Sequence, residues 1–231
     1  METCLSIYWK AKYGGNVLTW LDERLGLTSI YNTVLDRNIP KVNWWYTLGS
    51  ATLFLFMIQV LTGIFLTVYY VPSPDHAYDS VQYIMTDVAF GWLIRGIHHW
   101  GASLMVIFVC IHMLRTFFMA AYKYPREITW LTGVFLLLAT LGMGFTGYLL
   151  PWNQRAYWAT TVGTEIAGTV PLIGDFILRV LRGGFALSGV TLARFFAAHI
   201  WFLPALITLL ISVHIYLVIR LGISAIPEKD T

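Results

Sequence analysis

The run Phe90–Arg115, FGWLIRGIHHWGASLMVIFVCIHMLR, decides the fold, because it is apolar enough for a membrane helix yet carries histidines at positions 98, 99 and 112. A helix needs roughly 20 apolar residues to cross the hydrocarbon core. The run is long enough, so its histidines lie inside the membrane. His98 and His112 are 14 residues apart; at about 100° per residue they return to within ~40° of each other, about 21 Å apart along the axis. The two imidazoles share a face. His99 points ~100° away from His98 and is read as structural.

A second run repeats the pattern. Phe195–Ile219, FFAAHIWFLPALITLLISVHIYLVI, places His199 and His214 at an interval of 15 residues, a residual rotation of ~60° and a spacing of about 22 Å. Polar rings facing hydrocarbon are costly unless they serve a ligand or a partner. Two matched pairs at similar depths fit two metal centres, each clamped by imidazoles from two helices.

Two further apolar stretches complete four spans, A to D: Trp44–Tyr70, Trp92–Met119, Trp130–Leu150 and Phe195–Ile219. The expected fold is an all-α, four-helix membrane bundle with amphipathic surface helices. The chain reads as a single domain, 1–231, with residues 1–43 as an N-terminal surface segment. Asn16–Ile30 alternates apolar residues with Asp22, Glu23 and Arg24, the pattern of a helix lying on the membrane. The A–B connection reads as a polar loop in which His76 is solvated. The long C–D connection carries an amphipathic pattern over Thr164–Val180. Two crossings, B and C, separate the starts of B and D, so B and D run parallel, pairing His98 with His199 and His112 with His214.

Composition agrees. The 231 residues are 58% hydrophobic and 12% charged, with a mean hydropathy of +0.67. A net charge of +3, dispersed between apolar blocks, gives no footprint for nucleic acid. Two cysteines, Cys4 and Cys110, exclude a disulfide framework and a cysteine-rich metal site. Lys10, Lys12, Arg24, Arg37 and Lys41 precede A, and Lys123 and Arg126 lie between B and C; the A–B loop has Asp75, Asp79 and Asp87 and no Lys or Arg. The positive-inside rule then places both termini on the negative side. Arg155, Arg179, Arg182 and Arg194 in the C–D connection run against it.

Around the histidines, Arg95 precedes His98 by three residues and Arg115 follows His112 by three, on the same faces but nearer the membrane surfaces. There they can meet anionic groups of a cofactor. Gly49 and Gly63 on A, and Gly133 and Gly147 on C, repeat the 14-residue interval. Missing side chains let a flat macrocycle or another backbone approach.

The strings FGWLIRGIHHWGAS, IHMLR, PREITWLTG, GFTGYLLPWNQ and RFFAAHIWFLP, followed by His214, resemble the cytochrome b family from about Trp20 to Ile226. The 15-residue interval on D and the four-helix length are similar to its b6-type members. The resemblance implies two b-type haems, a low-potential one held by His98 and His199 near the positive side and a high-potential one held by His112 and His214. It implies that Arg95 and Arg115 bind propionates, and that Tyr148, Pro151, Trp152, Trp158 and Ala159 wall a quinol pocket. The PEWY string of that pocket is missing here, so a subunit IV-like three-helix partner is implied, with a Rieske iron–sulfur protein, a c-type cytochrome and a dimeric complex. The implied activity, in a bacterial inner or thylakoid-type membrane, splits the two electrons of quinol between the Rieske protein and the two haems, reduces quinone on the far side and translocates protons.

Where b6 proteins of oxygenic photosynthesis carry a haem-attaching cysteine, this chain has Thr47, so a covalent c-type haem is expected to be absent. Arg155 replaces an uncharged residue of the relatives. Two rival readings stay open on the residues alone: a di-haem anchor of another dehydrogenase, and a transporter using histidines as a proton relay.

Overall fold

A computed structural model describes residues 17–34 and 44–224. The chain divides into two compact units, residues 1–42 and 43–231. Within the first, α1 (Val17–Leu25) and α2 (Leu27–Val34) replace the single surface helix expected over Asn16–Ile30. Gly26 causes the break: at φ +62 it takes the left-handed conformation that ends helices. The Asp22 carboxylate accepts from the Thr28 hydroxyl at 2.6 Å and from its backbone N–H at 2.5 Å. These bonds hold the Asp22 carboxyl below the usual carboxylate range. The expected N-terminal basic residues other than Arg24, together with Cys4, lie outside the described residues.

In the second unit a short 3₁₀ turn, Trp44–Thr47, leads into α3 (Leu48–Tyr69). There follow α4 (Ala77–Thr86), α5 (Gly91–Phe118), α6 (Glu127–Leu149), α7 (Gln154–Gly168), α8 (Gly174–Arg182), α9 (Gly189–Ala197), a π-helical turn (Ala198–Phe202) and α10 (Leu203–Leu221). Among the described residues four helical stretches are long and apolar enough to cross a membrane: Trp44–Tyr69, Gly91–Phe118, Glu127–Leu149 and Gly189–Leu221. The last starts six residues before the expected Phe195. Ser188 is the reason, since its side chain and that of Thr191 form a reciprocal capping box at that end.

Helix α4 lies in the segment read as a polar loop. Its buried residues Ala77, Ser80, Val81 and Ile84 follow the three-and-four spacing of an amphipathic helix, and it packs on α5. His76 is its N-cap residue and is exposed. The amphipathic stretch expected over Thr164–Val180 is divided between α7 and α8.

Helix α3 packs along α5, and α6 along α10. No comparable seam of close backbone approach joins α5 to α10. The centre of the bundle is one residue from each long helix: Phe56, Met105, Ala139 and Ile207 are buried together. Each lies about midway between the glycines or histidines of its own helix, so apolar packing fills the middle and leaves two levels for other chemistry. A second buried cluster, Ala77, Leu149, Leu192 and Phe195, ties α4, α6 and α9 together at one end. Large exposed apolar side chains, including Phe54, Leu61, Trp201 and Leu209, cover the outside, as a lipid-facing surface requires.

Candidate functional site: two histidine levels

The two helix pairs bring His98 and His199 together with ring centroids 6.2 Å apart and the rings nearly perpendicular. At the other level His112 lies against Gly49 of α3 and His214 against Gly133 of α6. All four are half-buried, whereas His99 is exposed and rests edge-on against Trp100.

The pairing depends on a feature the helical wheel does not contain. In ideal helices, intervals of 14 and 15 residues end ~100° apart in azimuth, so B and D would not present equivalent faces. Between Ala198 and Phe202 the helix widens to a π turn, where the Leu203 N–H reaches back to the Ala198 carbonyl. Such a turn absorbs one extra residue. The 15-residue interval from His199 to His214 is thereby returned to the register of the 14-residue interval on α5. Pro204 follows, and its missing N–H favours a departure from the regular ladder.

Each of the four glycines lies against one imidazole. A Cβ on Gly49 would come within 3.3 Å of His112 Cε1, on Gly63 within 3.4 Å of His98, on Gly133 within 3.5 Å of His214 and on Gly147 within 2.6 Å of His199. The glycines therefore seat the rings themselves. Sequence reasoning missed three threonines at the same seats: Oγ1 of Thr62, Thr132 and Thr146 is 2.8, 2.9 and 3.2 Å from Nδ1 of His98, His214 and His199. The repeated dipeptide Thr–Gly at 62–63, 132–133 and 146–147 was a usable signal.

The arginines differ. The Arg115 guanidinium carbon is 3.7 Å from the centre of the Tyr46 ring, and its Nε and Nη2 are buried with no hydrogen-bond partner among the described residues. Buried donors of this kind match the oxygens of a carboxylate. Arg95 turns towards α4, with Nη1 3.4 Å from Met85 Sδ. Tyr46 was not expected; its hydroxyl donates to the Ser224 carbonyl.

Of the residues expected to wall a quinol pocket, Tyr148, Trp158 and Ala159 are exposed and Pro151 is half-buried. Trp152, at φ +48, packs against the Ala77–Leu149–Leu192–Phe195 cluster. The Trp158 indole donates to Gln154 Oε1 at 3.0 Å, and Tyr70 donates to the Leu150 carbonyl at 2.7 Å. Arg182, which strained the topology rule, is buried; it donates to Thr164 Oγ1, to the Thr161 and Phe185 carbonyls and to Glu165 Oε1. It fastens α7 to α8. Arg155 is exposed at the start of α7, and nothing in the structure explains it.

Among the described residues no three His, Cys, Asp or Glu side chains converge. Among these residue types, two imidazoles are then the donors that the described residues offer at each level. Structural zinc takes four protein ligands, whereas an iron already held in a macrocycle needs two axial ones. The ring separation at His98 and His199 leaves room for one metal bonded to both nitrogens at about 2 Å. Glycine clearance, paired imidazoles and a buried guanidinium fit haem.

Fold and site define the class: an integral membrane protein with histidines facing inward at two levels of a helix bundle. Residues 34–222 match the family profile described as Cytochrome b/b6/petB, and the chain belongs to the cytochrome b/b6 family, a family of b-type haem proteins and of oxidoreductase subunits. It is 47% identical over 214 residues to the menaquinol:cytochrome c reductase cytochrome b subunit of Geobacillus thermodenitrificans, covering 89% of this chain and 96% of that one. It is 43% identical over 209 residues to cytochrome b6 of Synechococcus sp. (strain RCC307), covering 90% and 96%. Among solved structures it is similar to a chain of a hyperthermophilic respiratory complex III, with TM-score 0.83 and 34% identity. That alignment covers 93% of this chain and 59% of the longer one.

Proposed function

We propose that this chain is the cytochrome b subunit of a bc/b6f-type quinol:cytochrome c oxidoreductase. In this reading it holds one b haem between His98 and His199 and another between His112 and His214. The observation that carries it is the pairing of His98 with His199 at 6.2 Å, each ring seated on a glycine. When bound, the haems supply one-electron carriers at two depths of the membrane.

The chain's own residues do the rest. Neutral imidazoles present their lone pairs from opposite sides of each level. Gly49, Gly63, Gly133 and Gly147 let the rings lie close to the helix backbones. Arg115, and Arg95 at the other end, balance propionate charge where the dielectric is low and charges interact strongly. Phe56, Met105, Ala139 and Ile207 keep water out between the levels. The turn from Gly147 to Ala159 offers exposed aromatic surface, Tyr148 and Trp158, as one wall of a quinol pocket. Quinol oxidation on the positive side, quinone reduction on the negative side, the coupled proton translocation and the negative-side termini form the proposed activity and orientation. Its partners are a three-helix subunit completing the pocket, a Rieske protein and a c-type cytochrome, in a dimeric complex.

The substrate named for the Geobacillus relative makes menaquinol the first quinol to test. The purified complex should show a reduced b-type absorption band, two non-covalent haems per chain by pyridine haemochrome, and quinol-dependent cytochrome c reduction. Absence of a b-type band would overturn the reading.

A further inference from the structure

Three of the four imidazoles rest on the same two-residue seat. Thr62–Gly63 receives His98, Thr132–Gly133 receives His214 and Thr146–Gly147 receives His199. Each threonine has one hydroxyl proton, and its own helix takes it: Oγ1 donates to the Ile58, Thr129 and Gly142 carbonyls at 2.7, 2.8 and 2.8 Å respectively. The oxygen is then left to accept from the ring. That places the imidazole proton on Nδ1 and frees the Nε2 lone pair.

The fourth seat differs. The residue before Gly49 is Leu48, which has no polar side-chain atom, and the Thr47 hydroxyl donates to the Trp44 carbonyl at 2.7 Å. Among the described residues no side-chain hydroxyl reaches the His112 ring.

We propose that Thr62, Thr132 and Thr146 are positioning residues that fix the tautomer and raise the basicity of three haem ligands, and that Leu48 leaves His112 as the ligand without this support. The proposal rests on the haem assignment above. A hydrogen bond donated from Nδ1 enriches Nε2 in electron density, which favours oxidised iron. The His98/His199 level has two such bonds and the His112/His214 level one. The imbalance lowers the potential of the first level relative to the second, the sign that favours the electron residing at His112/His214.

The test is a redox titration of each haem in the assembled complex, followed optically and by EPR. Thr62→Val keeps the side-chain shape, removes the oxygen, and should raise the potential of the His98/His199 haem; Thr62→Ser should restore it. Leu48→Thr should lower the potential of the His112/His214 haem. Each shift is expected to reach about tenfold in the ferric-to-ferrous equilibrium, roughly 59 mV for one electron. Unmoved potentials in Thr62→Val and Leu48→Thr, with both haems bound, overturn the proposal. If Thr62→Val loses its haem, Leu48→Thr decides: a lowered potential supports the idea and an unchanged one sinks it. Absence of b haem from the unsubstituted complex would instead defeat the haem assignment.

Discussion

Gly147 lies directly against His199, and a Cβ added there would stand 2.6 Å from the ring carbon Cε1 and 3.2 Å from both ring nitrogens. The corresponding contacts at Gly49, Gly63 and Gly133 are 3.3 to 3.5 Å. Gly147 is the tightest of the four seats. Gly147→Ala should therefore push His199 out of line and cut occupancy of the His98/His199 haem, at an overpacking cost of about 1–3 kcal/mol. Gly96→Ala, with nothing within 4 Å, should leave haem content intact. Haem-to-protein ratio and thermal unfolding of the two variants check this.

Replacing His112 with alanine should halve the haem content, because the other pair sits at a different depth. His99→Ala should leave two haems, since that ring is exposed beside Trp100. Pyridine haemochrome on both variants measures the outcome, and loss of haem from the His99 variant would show that His99, not His98, is the ligand.

Arg115→Gln removes a guanidinium whose buried Nε and Nη2 have no hydrogen-bond partner among the described residues. The potential of the His112/His214 haem should fall, because compensation for propionate charge is lost in a low-dielectric setting. Arg95→Gln should lower the other potential instead. An unchanged midpoint in both variants would reduce the arginines to snorkelling side chains.

Arg182 crosses from α8 to α7 with its side chain almost wholly buried, 5% exposed, while Glu165 is 59% exposed. Arg182→Met should destabilise the connection by about 3 kcal/mol, because Thr164 Oγ1 and two carbonyls lose their donor. Glu165→Gln should cost less than about 1 kcal/mol, since its carboxylate is screened by solvent. Limited proteolysis of the 154–182 segment, with thermal unfolding in detergent, distinguishes the two.

Thr47 has no thiol, and its hydroxyl is engaged with the Trp44 carbonyl. Denaturing electrophoresis followed by haem-peroxidase staining should show no haem on this chain. A stained band would redirect attention to Cys4 or to Cys110, which is a half-buried free thiol.

Much of the site could be read from intervals alone. The histidines at 98, 112, 199 and 214, the glycines at 49, 63, 133 and 147, and the flanking arginines follow from helical periodicity, since a continuous membrane helix converts residue number into depth and azimuth. Helix α4 escaped because ten residues among Pro, Asp and Ser resemble a loop, although its buried face was already encoded at 77, 80, 81 and 84.

By itself, the sequence determined that four helices cross a membrane, that four histidines occupy two depths, and that Thr47 cannot carry a thioether: all are consequences of local composition and spacing. Only the tertiary structure decided which glycine serves which ring, because that depends on α3 packing along α5 and α6 along α10. It also decided that a π turn at Ala198–Phe202 absorbs the extra residue before His214. Hydrogen-bond register within a helix responds to neighbouring packing and to Pro204, and counting residues at a fixed pitch cannot register that response.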